Sequence, residues 1–288
     1  MKLLISFSIL VASCSYQLCL AQGAMSELAA IRFAYENNSD RKIKGLTSEI
    51  GYDQWEFRTP LFFKESGDWR FAGGIRYQST SIDITDASLL NESRLHSLDF
   101  AFFLSKKSSD TLDYLLLFNP ALSGDYENVG SDALNYLSIA GAKWKQSDQL
   151  QWIFGAVYTS GIGDDLLLPA IGLIWEPSAQ SSFVFAGPIL RYNYEFSDSL
   201  DLTLGGQFVG NRWNTESLYG GATEERNFRF RSYRLFGNVE WNFDENHSVF
   251  VGGGFDFAGE IEIESTSNKI ERDVESGGSF EIGYQYQF

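Results

Sequence analysis

Cysteine is almost absent: the 288 residues hold two, Cys14 and Cys19, both inside an apolar N-terminal stretch. Beyond them there is no thiol to form a disulfide or a thiolate ligand, so the fold has to close without staples. Histidine is equally scarce, with two residues, His96 and His247, far apart in the chain. With no cysteine nearby, they offer none of the ligand spacings of a zinc site. After residue 21 no segment approaches the roughly 18 consecutive apolar residues of a membrane helix, so any crossing of a bilayer must be made by strands. Basic residues are outnumbered 22 to 38, leaving a net charge of -16. That excludes nucleic acid as a partner, because phosphate binding needs a basic surface. Proline is rare at 5 residues, against 27 glycines and 16% aromatics. This composition favours strands and tight turns over loops.

At the N-terminus, Met1-Lys2 is followed by an apolar run to Leu20 and by Cys19-Leu20-Ala21, with small residues where a signal peptidase reads. This predicts an exported chain with a signal peptide over 1–21 and a single domain over 22–288. Val11-Ala12-Ser13-Cys14 leaves open a second reading, a lipoprotein processed at Cys14.

The C-terminal half alternates with a period of two. Leu200, Leu202, Leu204 and Phe208 share one face and Asp201, Thr203, Gly205 and Gln207 the other. Leu235, Val239, Trp241 and Phe243 repeat the scheme, as do Phe255, Phe257, Ile261 and Ile263. Carboxylates on a lipid-facing side would each cost a few kcal/mol near the midplane, so the apolar set points outward. The last eight residues, Glu281 to Phe288, are one more such strand, with Ile282, Tyr284, Tyr286 and Phe288 on one face.

Glu281, Gly283, Tyr286 and Phe288 match a polar, glycine, hydrophobic, aromatic assembly pattern, and on these residues the chain resembles a bacterial outer-membrane β-barrel. The resemblance implies the cell outer membrane as location, with outer-membrane lipids and the barrel assembly machinery as partners. Pro169, Gly172, Trp175 and Pro177, with Gly187-Pro188 and Tyr194, further resemble the central signature of an uncharacterised family of such barrels of about this length. That family supplies no catalytic residue and no cofactor.

The expected fold is all-β, an antiparallel transmembrane barrel closed by its N- and C-terminal strands. At roughly 20 to 24 residues per strand with its connection, residues 22–288 allow about 12 strands, range 10–14. Strands are expected near 69–84, 94–105, 134–145, 149–159 and 182–196. Segments 28–37, 46–58 and 112–126 fit less well. Leu115 to Phe118 and Leu166 to Leu168 are apolar on both parities, which allows either a strand with a packed inner face or a helical piece. Counting outward from a periplasmic C-terminus puts the turns at 244–247 and 197–199 inside. It then places the short turn at 177–180 outside, unless a strand between 160 and 196 is misread.

Parity assigns Arg191, Glu195, Asp201, Arg234, Glu240, Asp256 and Glu260 to the lumen. If their mixed charges pair across it, the barrel is filled; if they separate, they leave a route for small polar solutes. Arg229 and Arg231 take the outward parity just above the spanning part, where guanidinium groups could meet lipid phosphate. For catalysis the residues offer little. His96 is next to Ser97 and Asp99, but these point to the opposite face. Asp164-Asp165 lacks the serial oxygen ligands of a calcium loop. The expectation is therefore a passive channel for small hydrophilic solutes. The alternatives are a structural or surface-interaction barrel with a filled lumen and, third, a lipid-modifying enzyme.

Overall fold

The computed structural model describes residues 30–85, 89–90, 94–127, 129–160, 166–186, 189–219, 222–265 and 268–288. Residues 1–29 lie outside that set, and with them the signal peptide, Cys14 and the processing site. So do 161–165, with Asp164-Asp165, and Gly187-Pro188. The strands in chain order are β1 Ala30–Lys42, β2 Glu49–Ser66, β3 Trp69–Ile84, β4 Arg94–Lys107 and β5 Leu112–Gly124. Then come β6 Leu134–Lys145, β7 Leu150–Thr159, β8 Leu166–Ser178, β9 Ser181–Ala186 and β10 Ile189–Ser197. The chain ends with β11 Leu200–Tyr219, β12 Ala222–Asn242, β13 His247–Ser265, β14 Lys269–Val274 and β15 Gly277–Gln287.

From β1 to β13 every strand pairs antiparallel with the next, β13 pairs with β15, and β15 pairs with β1 from Ala30↔Gln287 to Asn38↔Ser279. The sheet therefore closes between the N- and C-terminal strands, as a bilayer demands of spanning strands. Fourteen strands form the barrel; β14 lies outside this set and pairs with β13 over Gly259–Glu264. The count exceeds the expected 12 and stays within its range. Connections at the periplasmic end are short, as at 67–68, 179–180 and 198–199, so each strand consumes fewer residues than assumed.

The outward face is apolar along the spanning stretch, with Phe57, Phe102, Leu116, Phe154, Ile171, Leu204, Val239 and Ile282 all exposed. The segments that are apolar on both parities are strands throughout. In β5, Tyr114, Leu116 and Phe118 face out while Leu115 and Leu117 are buried on the inside; in β8, Leu167 is 72% exposed and Leu168 6%. These inner side chains pack against one another, so they need not be polar.

Residues 182–196 are two strands. Ala186 of β9 pairs with Ile189 of β10, and Val184 with Arg191. The chain reverses between them, so Val184 and Ala186 face inward while Leu190 and Tyr192, of the same parity in sequence, face outward. This supplies the missing strand, and the turn at 179–180 returns to the periplasmic end. Residues 214–226 are for most of their length the extension of β11 and β12, paired residue for residue up to Tyr219↔Ala222.

Candidate functional site

Seven of the strands carry a belt of ion pairs on the inner face. Arg234 on β12 donates to Asp256 on β13 at 2.6 and 3.0 Å and to Asn38 at 2.9 Å, and pairs with Glu36 on β1 at 2.8 Å. Arg41 approaches Asp256 at 3.4 Å. Further round, Arg32 meets Glu281 of β15 at 2.5 Å, Arg58 meets Glu56 at 3.1 Å, and Arg76 meets Asp99 at 2.9 Å. Some partners are on adjacent strands, as Arg32 with Glu281 and Arg76 with Asp99, within side-chain reach along the wall. Others reach over intervening strands, Arg234 of β12 over β13 and β15 to Glu36 of β1 and Arg41 of β1 over β15 to Asp256, so the charges pair rather than separate by sign.

The facing wall differs. On β5 to β8 the inner side chains Leu117, Ile139, Ile153, Val157, Leu168 and Ile174 form one apolar cluster with no member more than 8% exposed. A second apolar cluster occupies the extracellular end. It joins Ile50, Ile82 and Leu95 of β2 to β4 with Phe228, Phe230 and Ile261 of β12 and β13, and no buried member exceeds 7% exposure. Between the belt and these clusters lies a cavity of about 520 Å³.

Of the residues assigned to the lumen, Arg191, Arg234 and Glu240 line this cavity. Asp256 is wholly buried within the belt. Glu195 and Asp201 sit opposite each other at the periplasmic end of β10 and β11, where Asn242 donates to Asp201 at 2.8 Å. Glu260 is a correction. Ala258, with φ of 51°, interrupts the register between β12 and β13, so Glu260 falls opposite Arg231 and takes the outward face. Arg229 and Arg231, expected at an outward surface facing lipid phosphate, both line the cavity, and Arg229 is only 6% exposed. Each is held by a carboxylate, Arg229 by Glu262 at 2.5 Å and Arg231 by Glu260, which leaves less charge for lipid phosphate. The carboxylates of Glu260, Glu262 and Glu271 lie within 4.8 Å of one another, but Arg229, Arg231 and Lys269 already balance the first two.

His96 faces outward, stacked between Tyr77 and Tyr126 at 5.9 and 5.3 Å, with its Nδ1 2.7 Å from the Tyr77 hydroxyl. Ser97 is buried on the other face, bonded to Asp99 and Ser123. In the terminal strand Glu281 joins the belt, and Tyr286 and Phe288 pack edge to face at 5.0 Å on the outside. Gly283 makes room for a neighbour, since a Cβ there would lie 2.2 Å from the Phe250 ring and 2.6 Å from the Phe33 carbonyl oxygen. Gly283→Ala is expected to cost about 1–3 kcal/mol by overpacking, read from the urea midpoint of the refolded barrel. An unchanged midpoint would mean that Phe250 turns aside freely.

Sequence reading missed the half of the belt on β1 to β4. Arg32, Glu36, Gln54, Glu56 and Arg58 recur with even spacing in segments whose outer residues, Tyr35, Asp53 and Trp55, mix polar with apolar. Period two in the charges alone would have found them.

An aromatic, apolar exterior around a charged interior, closed strand to strand, defines an outer-membrane β-barrel protein. The chain belongs to the family described as a domain of unknown function (DUF6268), which matches residues 64–282. Among solved structures it is similar to an outer-membrane channel from Pseudomonas putida F1, at 12% identity over 90% of this chain and 95% of that one, with a TM-score of 0.51. It is also similar to the TodX monoaromatic hydrocarbon channel deltaS2 mutant, at 11% identity, 90% of both chains and a TM-score of 0.46. A Pseudomonas aeruginosa FadL homologue matches at 10% identity, 90% of both chains and a TM-score of 0.45. At these identities the likeness is one of fold. No curated protein matches the chain.

Proposed function

We propose that the barrel is a passive outer-membrane channel for small polar solutes. The observation that supports it is the cavity of about 520 Å³, lined by charged and amide side chains of β1 to β4, β10, β12 and β15. A barrel that served only as a scaffold would gain by filling this space, because buried charge is costly wherever apolar packing could replace it. Purified, refolded protein in a planar bilayer should give discrete conductance steps. A silent bilayer containing correctly folded barrel, verified by heat-modifiable gel migration, would reject the channel.

The second reading, a structural or surface-interaction barrel, rests on the apolar cluster that packs side chains of β2 to β4 against those of β12 and β13 at the extracellular end. The two readings diverge on whether the cavity is open to both sides of the membrane.

A further inference from the structure

We infer that the cavity holds a binding subsite for a neutral, hydroxylated solute of sugar type, built from Asn119 of β5, Asn135 of β6 and Trp213 of β11. The inference rests on the channel reading above for how the solute reaches the subsite.

β5 and β6 turn an apolar wall inward at Leu115, Leu117 and Ile139, with Leu137 packed against it. On the same inward faces the wall then changes character, at Asn119 after Leu117 and at Asn135 before Leu137. Asn119 pairs with Leu137 and Asn135 with Ala121, so the two amides are diagonal neighbours on one patch, about 7–8 Å apart. Both line the cavity. They are only 7% and 8% exposed, and neither Oδ1 has a hydrogen-bond partner among the described residues. In Asn135 the Nδ2 donates to the Arg212 carbonyl at 3.3 Å, so the oxygen is the end left over. A buried carbonyl without a donor costs the fold, and leucine at either place would avoid that cost by continuing the apolar wall.

The bond from Asn135 to the Arg212 carbonyl also seats β11 against this patch. The next residue, Trp213, lines the same cavity and stacks on Phe228 with ring centroids 6.0 Å apart. It is 4% exposed, and its Nε1 has no hydrogen-bond partner among the described residues. An indole N–H only donates, and when buried it usually finds an acceptor. The cavity therefore presents two unanswered acceptors and one unanswered donor. Its volume of about 520 Å³ falls within the roughly 300–1,000 Å³ of pockets that hold small molecules.

This set selects a chemistry. An anion would bring its lone pairs up to two carbonyl oxygens. An ammonium group would satisfy those oxygens and leave the indole N–H unanswered, because it carries no acceptor. A hydroxyl both donates and accepts, so a solute with several hydroxyls can answer all three groups. The charged side chains of the cavity do not reverse this preference, since they hold one another. Arg76 donates to Asp99 at 2.9 and 3.3 Å, Arg32 meets Glu281 at 2.5 Å, and Arg234 meets Glu36 at 2.8 Å. A charged solute would have to displace one of these partners, whereas a neutral one leaves them in place.

The test uses the refolded full chain with D-glucose as probe and inorganic phosphate and methylammonium as charged controls. Saturation-transfer NMR in detergent should show saturable binding of glucose and of neither control, and glucose should reduce the single-channel current in a planar bilayer. Asn119→Leu and Trp213→Phe should each raise the half-saturating glucose concentration about fivefold, the loss of one hydrogen bond. The urea midpoint of Asn119→Leu should equal or exceed that of the parent, which separates lost binding from lost folding. Glucose binding unchanged in both variants overturns the subsite, and water alone then answers these groups. A lowered midpoint shows that Asn119 serves the fold and overturns it as well. Phosphate or methylammonium binding as tightly as glucose overturns the neutral solute. Conductance steps without saturable glucose binding overturn the subsite and leave the channel standing. Saturable binding without steps overturns the channel and leaves the subsite.

Discussion

Asp256→Ala should lower the stability of the folded barrel by about 3–5 kcal/mol, the usual cost of leaving a buried charge without its partner. Asp256 is completely buried and is shared by two guanidinium groups, Arg234 at 2.6 and 3.0 Å and Arg41 at 3.4 Å. Without it Arg234 still has Glu36 and Asn38. Arg41 has no such reserve, for its Nε and Nη2 already lack partners and its remaining support is the Phe230 ring, 4.9 Å away. The damage is therefore expected to centre on Arg41, and the double variant Arg41→Met/Asp256→Ala should recover part of the loss. The measurement is the urea midpoint of refolded protein, with gel migration as a check on folding. A single variant within about 0.5 kcal/mol of the parent, the range of an ordinary surface change, would mean that the belt does not hold the wall together.

Val239→Arg is expected to cost about 2–4 kcal/mol, and Phe243→Arg just past the end of the same strand about 0–1, because the penalty for a lipid-facing cation depends on depth. Both residues point outward and are about half exposed. Val239 lies midway along the apolar stretch of β12, between Phe243 at the periplasmic turn and Tyr233, whose ring packs with Phe208 and Phe257 at 5.8 Å. Equal costs at the two positions in lipid vesicles would contradict a bilayer around this band.

Most of the barrel was legible in the chain, for reasons tied to particular strands. On β12 the outward residues Leu235, Val239 and Trp241 meet lipid while Arg234, Asn238 and Glu240 line the polar cavity, so the surroundings on each side write the alternation into the sequence. On β5 and β8 the inner residues meet other apolar side chains, and the same physics erases it. Between β9 and β10 the alternation runs on unbroken through 187–188 although the faces exchange, since reversal of the chain leaves no mark on parity. Ala258 displaces Glu260 to the outside by the same kind of shift, a bulge that composition does not announce.

What the sequence by itself determined is the kind of solvent each strand faces: an apolar exterior, a polar interior, no disulfide, and a terminal strand of outward aromatics. These follow from local side-chain chemistry, which acts residue by residue. Only the tertiary structure decided which charges pair and that an apolar cluster gathers side chains of β2 to β4, β12 and β13 at the extracellular end. Those depend on register and strand length, and register is set by all the strands at once.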